Sequence, residues 1–218
     1  MTTDTAVQIT RDAVLHIVRD PVTAHLVQVY YDPGSTFAGF TFDLVGANPP
    51  DRFTTDDILA VSLLDTPLGP RAVRDLLQVR GEDFRRLLAV LPGPDVALWE
   101  ASDDQLDSVE ALWLSLRSIN GIGPTRAGKV LARKRPALVP IADKVTVALF
   151  DAPSGYLWAT LRAVLSDEEV RGAIEALCGD LPATVTTLRL LDTAVWMTGS
   201  RSKSVRAARA WAVDAGLS

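Results

Sequence analysis

Near the middle of the chain, Ile119-Asn-Gly-Ile-Gly-Pro-Thr-Arg-Ala-Gly-Lys-Val-Leu131 brings together residue types that can hold an anion. Gly121 can take the left-handed conformation that closes a helix. Ile122, set between two glycines, is an apolar plug that ties the turn to a core. Gly123 leaves the backbone uncovered, and Pro124 suits the first position of a new helix, where its missing N–H costs nothing. Amides from Gly121 to Thr125 then point outward at the positive end of a helix dipole, where phosphate groups bind. Arg126, Lys129 and Arg133 follow at i, i+3 and i+7 and share an expected helix face. Gly121, Ile122, Gly123, Thr125, Arg126, Lys129 and Arg133 are therefore the candidate contacts with a nucleic-acid backbone. Such contacts fix position along a strand and carry no sequence information. The same glycines also fit a plain connection between two closely packed helices.

The only carboxylate between Glu110 and Asp151 is Asp143. A buried carboxylate beside a sugar carbon can stabilise an oxocarbenium-like cation and orient or deprotonate water. Aspartate is equally a favoured N-cap, here for a helix over Lys144–Phe150, and one carboxylate can serve both roles. Asp192 interrupts an apolar helix, and Arg189 at i−3 offers it an ion pair. Tyr30, Tyr31, Phe37, Phe40 and Phe42 can wall a flipped base or simply form core. Gly199-Ser-Arg-Ser-Lys-Ser204 has the wrong Gly-to-Lys spacing for an ATP-binding loop, but fits a second backbone contact at the start of the last helix.

The segment Ile119 to Leu131 resembles the hairpin of the helix-hairpin-helix DNA glycosylase superfamily. In that family a Gly/Pro-rich stretch follows, and then an aspartate that opens the next helix. Arg135-Pro-Ala-Leu-Val-Pro-Ile-Ala-Asp143 occupies that stretch, with Asp143 twenty residues after Gly123. The resemblance runs from Trp113 to Leu149 and implies a two-lobed, all-helical, glycosylase-like fold. It implies duplex DNA as partner, held through its phosphates, and Asp143 as the catalytic residue of a monofunctional DNA N-glycosylase acting on a modified or damaged base. Members with lyase activity carry a lysine where Thr125 stands, so lyase chemistry is not implied. Members with an iron–sulfur cluster carry four cysteines, and Cys178 is alone, so no cofactor is expected. Hairpins of this kind occur in non-enzymatic proteins too. The alternative is a non-catalytic nucleic-acid-binding or protein-interaction helical domain. The whole chain is also similar to an uncharacterised, mainly actinobacterial family, in stretches such as Phe53-Thr-Thr-Asp-Asp-Ile-Leu59, Leu131-Ala-Arg-Lys-Arg-Pro136 and Leu191-Asp-Thr-Ala-Val-Trp196.

These residues need helices to position them, and the pattern supplies helices almost throughout. Apolar stripes recur at helical spacing, for example Phe84, Leu87, Leu88 and Leu91, or Leu106, Val109, Trp113 and Leu116. Ser102 with Gln105, and Ser166 with Glu169, read as capping boxes, and Thr54 or Thr55 as a helix start. Only Leu26–Tyr31 and Phe37–Leu44 have strand-like composition, the former equally helical. About ten helices are expected, with a lobe division near Pro92–Pro94: residues 1–92 with the C-terminal helices, and a hairpin lobe over 93–165. The fold class is all-α.

Composition sets the wider bounds. The chain has 218 residues, 48% hydrophobic and 22% charged, the balance of a globular protein. No apolar run reaches the ~20 residues of a membrane helix, and the N-terminus lacks a signal peptide's basic and apolar parts. His16 and His25 lie nine apart, outside the spacing of a helical metal pair, so no metal is expected. The expected location is the bacterial cytoplasm, associated with the nucleoid if DNA is the partner. The net charge of −5 opposes nucleic-acid binding, but its distribution does not. Ala111–Ala142 holds six cations and no acid, and Thr193–Val213 holds Arg201, Lys203, Arg206 and Arg209 and no acid. Such asymmetry is expected of a protein with one basic face, and equally of solvated helix faces on an acidic protein.

Overall fold

The computed structural model describes residues 3–150 and 157–217. Those residues form thirteen α-helices and no strand. In chain order these are α1 (Thr3–Val18), α2 (Pro21–Tyr31), α3 (Gly39–Leu44), α4 (Thr55–Leu63), α5 (Pro70–Arg74), α6 (Gly81–Ala89), α7 (Asp103–Arg117), α8 (Pro124–Lys134), α9 (Lys144–Phe150), α10 (Leu157–Leu165), α11 (Glu168–Glu175), α12 (Thr187–Gly199) and α13 (Lys203–Asp214). A π-helical segment, Asp75–Val79, continues α5. None of these helices is long and apolar enough to cross a membrane.

The strand-like stretches are helical, Leu26–Tyr31 within α2 and Phe37–Leu44 from Gly39 onward. Asp20 accepts the amide of Val22 at 2.9 Å and Pro21 takes the first helical position, so α2 starts before the β-branched residues are reached. Local capping outweighs strand propensity there. Ser102 and Gln105 form the expected capping box, and Thr54 forms another with Asp57. At α11 the cap is Asp167 rather than Ser166. Glu169 does not reach back because its carboxylate is taken by Arg11 and Arg19.

Residues 1–40 with 142–218 make one compact unit, and residues 41–141 make another. The division expected near Pro92–Pro94 therefore falls inside the second unit. There Arg135 donates to Pro92 O at 2.6 Å and to Leu88 O at 3.0 Å, which binds the 88–92 segment to α8.

In the first unit α12 is central and packs on α1, α2, α9 and α11. It is buried all round from Leu188 to Val195, as a core helix must be. The expected Arg189–Asp192 ion pair forms within it, and both side chains are buried. Tyr30, Phe37 and Trp196 pack ring against ring at 5.7–6.1 Å over Leu26, Met197 and Val205.

An exposed network joins α1 to α11. Arg11 donates to Asp167 at 2.7 Å and to Glu169 at 2.6 Å, and Arg19 donates to Glu169 at 2.5 Å. The Arg11 bond holds the Asp167 carboxyl below its usual range, and Arg19 followed by Arg11 does the same to Glu169. A carboxyl whose pKa falls on folding stabilises the fold above its unfolded pKa, and that stabilisation is lost as pH falls through the folded value. Below about pH 4 the native chain should lose thermal stability more steeply than the Asp167→Asn/Glu169→Gln variant. The effect should be small, because these groups are solvent-screened. Thermal melts between pH 7 and pH 3 check it, and parallel curves would rule it out.

In the second unit α8 is the centre. It packs on α4 and α7, with α6 behind α7. Every residue from Ala127 to Arg135 is buried.

Candidate functional site

The hairpin forms as its local chemistry requires. α7 stops at Arg117, and the guanidinium of Arg80 pins its end, donating to Ser118 Oγ at 2.7 Å, Ser115 Oγ at 2.8 Å and Ser115 O at 3.2 Å. Gly121 takes φ +93°, the left-handed geometry that favours glycine. Ile119 and Ile122 are buried, and the Ile122 amide donates to Ile119 O at 3.0 Å. Pro124 occupies the first position of α8, and Gly123 is its cap, with no side-chain bond.

Gly123 differs from Gly121. Its φ of −81° and ψ of 179° suit any residue. A Cβ built on it would meet nothing within 4 Å, so packing does not require a glycine there either. The amides of Gly121, Gly123, Thr125 and Arg126 have no acceptor among the described residues. Gly121 is exposed, and Gly123, Thr125 and Arg126 are half-buried. An anion reaching this turn meets N–H donors at a helix's positive end, with no side chain over Gly123.

The cations expected beside the turn are elsewhere. Lys129 is only 7% exposed and donates to Leu64 O at 2.7 Å. Arg133 is 2% exposed and forks onto the carbonyls of Phe42 and Val45. Lys134 bonds Asn48 Oδ1 at 2.9 Å and Pro49 O at 3.1 Å, and pairs with Asp57 at 2.5 Å. Arg135 reaches Pro50 O at 3.1 Å besides Pro92 and Leu88. The solvent-facing basic stripe expected from Arg126, Lys129 and Arg133 is thus corrected at Lys129 and Arg133. The physical reason lies in the acceptors. The chain from Val45 to Phe53 has no helix of its own, and its carbonyls need donors that α8 supplies. Burial pushes the pKa values of Arg133, Lys134 and Arg135 down, and Asp57 opposes this at Arg133 and Lys134. Arg126 keeps some exposure but is held to Pro67 O at 3.0 Å and Gly121 O at 3.3 Å.

Other cations lie on the elements that flank the turn. A Cβ on Gly121 would lie 3.9 Å from Cβ of Ala72, which places α5 beside the hairpin. Arg71 and Arg74, on either side of Ala72, are exposed. Arg117 is also exposed, its guanidinium 4.5 Å from the Trp113 ring centroid. Sequence reasoning missed Arg71 and Arg74. A usable signal existed, because Leu68-Gly69-Pro70-Arg71 repeats the Gly-Pro step of Ile122-Gly123-Pro124-Thr125-Arg126.

Asp143 lies in the unit of residues 1–40 and 142–218, and the hairpin in the other. Its Oδ1 accepts the amides of Val145 at 2.8 Å and Thr146 at 3.0 Å, and the Thr146 hydroxyl at 3.2 Å. The expected cap on α9 is present. Oδ2 has no hydrogen-bond partner among the described residues, and the side chain is half-buried. Of the expected aromatic wall, Tyr31 and Phe42 are buried and Tyr30 and Phe37 are core neighbours; Phe40 is exposed.

An all-helical chain carrying a glycine-proline hairpin with uncovered amides is the class these features define. A model for a family of unknown function (DUF6308) matches residues 23–199, and the chain belongs to that family. No curated protein and no solved structure matches it.

Proposed function

We propose that this chain binds the phosphate backbone of a nucleic acid, in first place duplex DNA, through the turn from Gly121 to Arg126. The supporting observation is Gly123. Neither its backbone conformation nor its packing calls for a glycine, and the space where a side chain would stand is open above unpaired amides. A phosphate oxygen needs that space. Arg71, Arg74 and Arg117 supply the long-range charge, in place of the buried Lys129 and Arg133. The contact is narrow, a few phosphates, and reads no bases.

Fluorescence anisotropy with a labelled duplex tests the reading. Affinity should fall roughly 10- to 40-fold between 50 and 200 mM salt, the behaviour of about two or three neutralised phosphates. Arg71→Glu/Arg74→Glu should weaken binding and flatten that dependence. A protein indifferent to duplex DNA at 50 mM salt would end the proposal.

A second reading adds base excision by Asp143, as in the helix-hairpin-helix glycosylases. It is favoured by one observation: capping uses only Oδ1 and leaves Oδ2 without a hydrogen-bond partner among the described residues. That oxygen can face a sugar cation or water. Asparagine caps as well as aspartate, so Asp143→Asn should retain the fold and abolish abasic-site formation on duplexes with modified bases. Unchanged base release in that variant, or none from the native protein, would remove the catalytic role and leave binding intact.

A further inference from the structure

The second acid-free window of the chain behaves unlike the first. Where α8 buries its cations, α13 keeps most of its own outside. Arg201, Lys203 and Arg206 are exposed and have no ion-pair partner among the described residues. Only Arg209 is tied inward, donating to Met197 O and Ser200 O at 2.9 Å each. α13 packs on α2 and buries Val205 and Ala212. At about 3.6 residues per turn, Lys203, Arg206, Ala207 and Ala210 share the opposite, outward face, and Trp211 stands at its edge, toward α2.

Trp211 is 58% exposed, an unusual position for the largest side chain. Its ring is not loose. It stacks on His25 of α2, with centroids 4.8 Å apart and planes 26° from parallel. One face is therefore backed by another ring while the residue stays open to solvent. Lys203 and Trp211 are about 12 Å apart along the helix axis, separated by alanines that put no bulk between them. Ser202 already caps α13, accepting the Val205 amide at 3.2 Å, so the charge on offer comes from the side chains and not from the helix end. Exposed Asp214 lies beyond Trp211, at the far end from the cations.

We infer that the outward face of α13 is a docking surface for single-stranded nucleic acid, with backbone phosphates on Arg201, Lys203 and Arg206 and one base stacked on Trp211. Charge complementarity and the pre-set aromatic plate together select this partner, because a strand is both polyanionic and lined with π-faces. An acidic protein would satisfy the cations and leave the plate unused. The surface is independent of the hairpin and lies in the other unit.

Anisotropy with labelled oligo(dT) at 50 mM salt tests it. Trp211→Ala should weaken binding about 5- to 100-fold, and Trp211→Phe should keep most of it, since stacking tolerates any aromatic face. Arg201→Glu/Lys203→Glu/Arg206→Glu, confined to exposed positions, should abolish binding with an unchanged melting temperature. The fold-loss caused by Trp211→Ala should be the same in the native and the Gly123→Ser background, which separates failure here from failure at the hairpin. The inference is overturned if native protein does not bind oligo(dT), if Trp211→Ala binds as native, or if phosphatidylserine vesicles capture the protein more strongly than oligo(dT) does.

Discussion

Asp57→Ala should destabilise the unit of residues 41–141 by about 3–5 kcal/mol, the usual loss when one member of a buried ion pair is removed. Asp57 is 0% exposed, pairs with Lys134 at 2.5 Å and has Arg133 Nε at 3.7 Å. Its Oδ2 also accepts the Thr54 amide at 2.7 Å and the Thr54 hydroxyl at 3.1 Å, closing the start of α4. Its removal leaves buried Lys134 and Arg133 with carbonyl partners alone, and opens a capping box at the same stroke. Asp57→Asn keeps the volume and the capping bonds, so its own loss against the native protein reports the charge, and the difference between the two variants reports the cap and the volume. Urea titration gives both values from the shift in midpoint. A loss below about 1 kcal/mol for Asp57→Ala, the size of an ordinary cap, would mean that the cation cluster is satisfied by carbonyls without it.

Gly123→Ser should move stability and binding in opposite directions. Serine is a better N-cap than glycine by a few tenths of a kcal/mol, and the Gly123 backbone already has geometry that serine adopts. Its hydroxyl would accept the amide of Thr125 or Arg126, into space where no atom stands within 4 Å. Those are the donors assigned to phosphate. The melting temperature should hold or rise slightly while duplex affinity falls about 10- to 100-fold, the loss of one or two hydrogen bonds to a charged group. Few structural glycines have this property, because replacing one usually costs stability first. Native affinity in this variant would show that the turn amides are not the contact, and the proposed function would fall with them.

Much of the fold was legible because its signals are local. The start of α8 is written in Gly123-Pro124, its end in Pro136, and the left-handed residue before it in Gly121. The cap on α9 and the Arg189–Asp192 pair followed from spacing within one helix. Where a second segment took part, local signals misled. Ser166 yielded the cap of α11 to Asp167 because Glu169 had partners on α1. The lobe boundary moved because Arg135 reaches across 43 residues to Pro92.

The basic helix is the sharpest case. The sequence by itself determined the turn, the helix, the apolar face of Ala127, Val130 and Leu131, and the run of cations without acids. Whether those cations face water or the interior was decided by tertiary structure alone. Their principal acceptors are main-chain carbonyls of Phe42, Val45, Pro49, Pro50 and Leu64. Every residue carries a carbonyl, so an acceptor of this kind leaves no mark in a sequence. It becomes a partner only when the fold brings a loop without its own hydrogen bonds against a side chain long enough to reach it.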